Sequence, residues 1–140
     1  MKIDIKKKLN LAEKPQEKIL MDDRLPAHVA RPFELFFNYE VQSKGEFYLL
    51  KLHEKAEVPI YCQRCMQEFI CDYDLDTELA ICPNEQIAEK YHALYDVIVA
   101  SDDIVDFNEI LIDNLHLFSP QFHKNIGDCD QNQLKLMQND

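Results

Sequence analysis

Two cysteines, Cys62 and Cys65, stand two residues apart in Tyr61-Cys62-Gln63-Arg64-Cys65-Met66-Gln67-Glu68-Phe69. Thiolates at this spacing on a turn can hold one metal ion or run thiol–disulfide exchange. Zinc takes four ligands in a tetrahedron, so the pair supplies half a site. His123 and Cys129 lie in a polar stretch near the C-terminus, from which ligands could swing in. The expectation is at most one zinc ion, held by Cys62 and Cys65 and completed by His123 or Cys129. The bland alternative is two reduced thiols closing a tight hairpin. Exchange chemistry needs the first cysteine at a helix N-terminus, where the dipole lowers its pKa, and here strands are expected on both sides. A zinc deaminase needs P-C-x-x-C and an upstream H-x-E; Tyr61 and His53-Glu54 do not match. Cys71, on the apolar parity of its segment, reads as a core thiol, and Cys82 has no assignment.

The elements that position this turn are legible to different degrees. Phe33, Leu35, Phe37, Tyr39 and Val41 share one parity, which predicts a half-buried strand. Ser43-Lys44-Gly45 predicts a turn and Glu46 to His53 the returning strand. Val58 to Cys62 reads as a third strand, Glu68 to Leu75 as a fourth and Glu78 to Cys82 as a short fifth. The centre is therefore an antiparallel meander with the cysteine turn at one hairpin. Asn84 caps a predicted helix carrying Ile87, Ala88, Tyr91, Leu94 and Tyr95, and Val97 to Val99 returns to strand. A helix over 106–118 is the clearest: Asp106 and Glu109 make a capping-box start, Phe107, Ile110, Leu111, Leu115 and Phe118 make the stripe, and Pro120 ends it. Before residue 33, Lys2 to Leu11 reads as an edge strand, and 15–22 as loop with a helical turn or two. The fold class is α+β: an antiparallel sheet with one or two packed helices. The expected organisation is one domain over 1–140, with an irregular segment 1–32, a sheet and helix core 33–120 and a frayed polar tail 121–140.

Composition narrows the classes. The 140 residues, 46% of them hydrophobic, are enough for a packed core. No run is long enough to span a bilayer, and no apolar h-region follows the N-terminal lysines, so a cytoplasmic protein with reduced cysteines is expected. A phosphate loop, a nucleophile elbow and an H-E-x-x-H helix are all missing, which argues against an enzyme. The net charge of −11 is unevenly spread. Residues 1–65 carry 12 lysines and arginines against 10 acids, a net of +2; residues 66–140 carry 3 against 16, a net of −13. Solvated acidic faces explain this blandly. The sharper reading is a bipolar molecule whose acidic half repels phosphate and attracts a basic partner.

Cys62-Gln63-Arg64-Cys65 followed by Phe69 resembles the central motif of the YceD family, the large ribosomal RNA subunit accumulation proteins. Val105-Asp106-Phe107 through Asp113, Leu115 and Leu117 to Pro120 is similar to that family's acidic, leucine-rich helix, with Asn114 where the family usually carries an acid. The likeness runs over roughly residues 33–129. It implies a non-enzymatic role in accumulating or processing large-subunit ribosomal RNA, and later cysteines as partners for the central pair. Ribosomal RNA contact is then expected at Arg64, Gln63, Lys6, Lys7, Lys8, Arg24 and Arg31. Arg64 leads because its planar fork suits a phosphate or a guanine edge; the alternative is that it pairs with Glu68 or a neighbouring carboxylate. The rival readings are an acidic module for a basic ribosomal protein without RNA contact, and a small C-x-x-C redox protein.

Overall fold

The structure, a computed structural model, describes residues 1–11 and 13–138. The strands are β1 (Lys2–Asp4), β2 (Gln16–Met21), β3 (Phe33–Ser43), β4 (Tyr48–Tyr61), β5 (Glu68–Cys82), β6 (Asp96–Val99) and β7 (Ile104–Asp106). The α-helices are α1 (Glu85–Tyr91), α2 (Phe107–Phe118) and α3 (Gln131–Gln138). Five strands form one mostly antiparallel sheet in the order β2-β3-β4-β5-β6, and β1 pairs with β7 in a small second sheet. The architecture is α+β, as the change from period two to a helical stripe predicts.

The inner face of the large sheet carries Leu35, Phe37, Tyr39 and Val41 of β3 beside Leu50, Leu52, Ala56, Val58 and Ile60 of β4, all buried. Helix α2 covers that face. Phe107 meets Tyr39 edge-on at 4.8 Å and Phe37 at 5.7 Å, while Leu111 and Leu115 are fully buried. Each such side chain contributes about 2 kcal/mol by leaving water. Asp106 caps α2 through Asn108 N–H at 3.0 Å. Glu109 does not reach back to complete a capping box; it pairs with Arg24. The opposite, outer face is covered at one end, where α1 packs Ala88, Ile87 and Tyr91 on Phe47, Leu49, Ala80 and Cys82.

Several expectations need correction. The segment expected as helical turns at 15–22 is strand β2, whose register sets Ile19 against Leu35 and Met21 against Phe33; with β1 and a 3-10 turn at Ile5–Lys8, the segment to residue 32 is more ordered than its prolines suggest. The four short strands between 46 and 82 are two long ones. Glu54 and Lys55 looked like a break, yet Glu54 points inward on β4 and is 0% exposed. Pro59 is accommodated because β3 has ended there and the chain at Ala30 donates its N–H to the Pro59 carbonyl at 2.8 Å. β6 runs parallel to β5, an exception to the meander. The tail expected to fray forms α3.

Candidate metal centre

β4 and β5 are joined by Cys62–Gln67. Cys62 N–H donates to the Gln67 carbonyl at 3.0 Å and Met66 N–H to the Cys62 carbonyl at 2.8 Å. Met66 turns the chain with φ +62°, in the left-handed region that side chains rarely adopt. The result is a compact knuckle with both cysteine side chains buried. The chain after α2 returns to this knuckle. Gln63 N–H donates to the Gln121 carbonyl at 2.8 Å. The Arg64 guanidinium donates to the His123 carbonyl and lies 5.0 Å from the Phe122 ring centre. The His123 imidazole stacks on Phe69 at 4.2 Å. Cys129 then enters, and Leu134 of α3 closes over the cysteines with Phe69.

Cys62, Cys65, His123 and Cys129 thereby meet, with their ligand atoms all within 4.8 Å of one another. Cys62 Sγ lies 3.6 Å from Cys129 Sγ. His123 Nδ1 lies 3.6 Å from Cys65 Sγ and 3.5 Å from Cys129 Sγ. A tetrahedron with zinc–sulfur bonds of about 2.3 Å has sulfur–sulfur edges of about 3.8 Å, and slightly shorter edges to nitrogen. These separations fit a tetrahedral metal. The donor set, three thiols and an imidazole, suits zinc. Both His123 and Cys129 belong to the cluster, so the two later candidates named from the sequence come to it together.

The electrostatics agree. Burial pushes the Cys62 thiol up, but the backbone N–H groups of His123, Cys65 and Arg64 that point at its sulfur outweigh this and lower it from 9.0 to about 5. The Cys129 thiol is pushed up to about 11 by burial and by the sulfurs of Cys62 and Cys65 beside it. One thiolate is thus prepared by the backbone, while the last thiol resists ionising among its neighbours until a cation arrives. A low thiol pKa also suits a redox cysteine, but such a sulfur must be accessible. Cys62 is 0% exposed and sits on a strand end enclosed by Cys129 and His123. Four protein donors would fill all four positions of a tetrahedral ion, the closed arrangement of structural sites.

The other cysteines stay apart from the cluster. Cys71 lies half-buried on the inner row of β5 against the main core, and burial raises its pKa. Cys82 belongs to the small core under α1. The seven residues expected at RNA do not present seven free groups. Arg24 pairs with Asp23 and Glu109, Arg31 pairs with Glu68, and the Gln63 amide donates to the Tyr61 carbonyl at 3.0 Å. Among the described residues Arg64 is not paired with Glu68 or another carboxylate, as the alternative had it; it ties the knuckle to the returning chain. Lys6, Lys7 and Lys8 sit on the 3-10 turn, and among the described residues none has a carboxylate within 4.0 Å.

Glu54 is a buried carboxylate outside this cluster whose placement the sequence reading missed. It lies under α2, where Asn114 Nδ2 donates to its Oε2 at 2.7 Å while Oε1 has no partner among the described residues. Burial, opposed by Asn114 and His53, raises its pKa from 4.5 to about 7. The available signal was its even spacing from Leu50, Leu52, Ala56 and Val58.

An α+β protein whose C-terminal segment is tied to a β-hairpin by a Cys3His cluster is the class these observations define. The family model described as large ribosomal RNA subunit accumulation protein YceD matches residues 50–139, and the chain belongs to that family. The match holds the knuckle, α2 and all four candidate ligands. No curated protein and no solved structure matches.

Proposed function

We propose that this protein is a non-enzymatic assembly factor of the cytoplasm that supports accumulation of large-subunit ribosomal RNA. In this reading Cys62, Cys65, His123 and Cys129 hold one zinc ion whose role is structural. The observation that carries it is the convergence of three thiols and an imidazole, all within 4.8 Å of one another, inside the region that the family model matches. Bound there, zinc would fix the relative positions of the β4–β5 knuckle and the segment from Gln121 to α3; with no open coordination position, it would have no substrate to activate.

RNA contact in this reading is local and falls on Lys6, Lys7 and Lys8. They are the members of the expected set whose side chains have neither an ion pair nor a hydrogen bond among the described residues, and they follow one another on the 3-10 turn. Arg64, with Gln63, Arg24 and Arg31, shapes the protein instead. The high negative charge of residues 66–140 opposes a broad phosphate-binding surface. No helix among the described residues is long and apolar enough to cross a membrane.

The test replaces Lys6, Lys7 and Lys8 together with Glu. Large-subunit RNA should fall in cells relying on this variant, and binding of the parent protein to that RNA in vitro should weaken steeply with salt. A folded triple variant that restores RNA levels and binds as the parent does would remove the lysines from the account.

A further inference from the structure

On one side β5 pairs with β4 along nearly its whole length, from Glu68 to Ile81. On the other side β6 pairs only with Leu79–Cys82. From Glu68 to Glu78 that second side is a free edge, and no backbone hydrogen bond from the described residues fills it. A free edge of this length is a template for another strand. The exposed outer row along it reads Glu68, Ile70, Asp72, Asp74, Asp76 and Glu78, so its side chains are acidic at every position but one.

Some of those acids have partners. Glu68 pairs with Arg31, Asp74 with His53 at 2.6 Å, and Glu78 with Lys51 at 4.0 Å. Asp72 and Asp76 have no cation within 4.0 Å among the described residues. Asp72 moreover stands directly opposite Glu57 of β4, a like-charge pair that weakens a sheet. Asp72 and Glu57 also border a surface depression of about 530 Å³ with Glu34, Lys55 and the half-exposed ring of Phe36, so its rim keeps a net negative charge despite Lys55.

We propose that the free edge of β5 takes up an extended, lysine- and arginine-rich segment of a protein partner by strand addition, its basic side chains alternating opposite Asp72, Asp74, Asp76 and Glu78. The proposal deepens the assembly reading and rests on it for the setting in which such a partner is met. The backbone of the edge supplies the affinity and the acidic row selects the sequence. A second copy of this chain would set like charges against each other across the new ladder, and an RNA strand would bring phosphate to the same row. Both are disfavoured by the charges that favour a basic segment.

The probe is a short peptide of alternating lysine and threonine, compared with its glutamate–threonine counterpart and with an oligouridylate. The lysine peptide should bind the parent protein and slow amide exchange within residues 68–78. Asp72→Lys with Asp76→Lys should weaken it by roughly tenfold or more at low salt. The same charge change elsewhere, Glu89→Lys with Asp113→Lys, should have a much smaller effect. Both pairs of sites are exposed, so the variants should fold. Absent binding, equal weakening by the two double variants, protection outside β5, or protection of this edge by the oligouridylate overturns the proposal. Large-subunit RNA levels in cells keep the two readings separate. If the parent protein restores them but binds no lysine peptide, the edge proposal fails and the assembly role stands. If the parent fails to restore them, the assembly role fails.

Discussion

Between the sheet and α2, side chains such as Tyr39, Phe107, Leu111 and Leu115 are enclosed by one another over a wide area. At the far end of β4 and β5, Cys62, Cys65 and Cys129 are equally buried, but their cluster adds only Leu134 and the edge of Phe69. The first region has enough apolar area to hold itself together. The second has little, and on the proposed reading its order depends on a metal ion joining the four donor atoms. α2 is thus secured by its own stripe, whereas α3, eight residues long and mostly polar, is secured by what its first turn and the preceding loop bring to the knuckle. Two neighbouring parts of one chain therefore follow different physics: the knuckle region can be disturbed without the sheet and α2, but not the reverse.

The largest effect is expected from the apolar region. Leu111→Asp places a charge without a partner under α2 and should destabilise the protein by about 4 kcal/mol or more. Urea unfolding should report a collapse of both regions, because the knuckle rides on β4 and β5. The reverse experiment is local. Cys62→Ser should abolish metal binding measured by elemental analysis and expose the chain after Pro120 to protease, while the circular dichroism of the sheet persists. A variant that keeps a full equivalent of metal would break the assignment of Cys62.

Glu54 probes the interior of the apolar region. Its folded pKa is raised above the ordinary value, so the unfolded chain releases this proton first as pH rises. The folded state is favoured most below about pH 4.5, loses stability as pH climbs toward about 7, and levels off beyond. The full loss is about 3 kcal/mol. Glu54→Gln keeps an acceptor for Asn114 and removes the titration. It should be more stable than the parent at pH 8 by about that amount and equal to it at pH 4, as read by denaturant midpoints. The smallest change concerns the boundary between the regions. Arg64→Ala removes the bond to the His123 carbonyl and the cover over Phe122, and should lower metal affinity by roughly tenfold with little change in the sheet. Competition with a chelator indicator measures this.

The apolar region was the more legible in sequence, since period two at 33–41 and the stripe at 107–118 are direct signatures of a face buried on one side. Legibility failed where a residue departed from its neighbours. Glu54 hid the continuity of β4 because an inward carboxylate mimics a strand end. Gln16 to Met21 hid as loop because its outer residues, Lys18 and Leu20, are a mixture that pairing with β3 organises. The metal region showed its candidates but not their convergence. Cys62 and Cys65 announce themselves by spacing, but His123 and Cys129 come together through Arg64, Phe69 and Gln121, contacts that no local pattern encodes. Arg64 was drawn toward RNA by its chemistry alone; its position beside His123 belongs to the tertiary structure.

The central claim is that a bound metal, rather than apolar packing, holds residues 121–138 on the knuckle. Hydrogen exchange of the purified protein before and after metal removal tests it most directly. The account predicts that amides from Gln121 through α3 lose protection on chelation while those of β3, β4 and α2 keep theirs, and that added zinc restores the difference. Unchanged protection of the C-terminal segment, or a uniform loss across the whole chain, would contradict it.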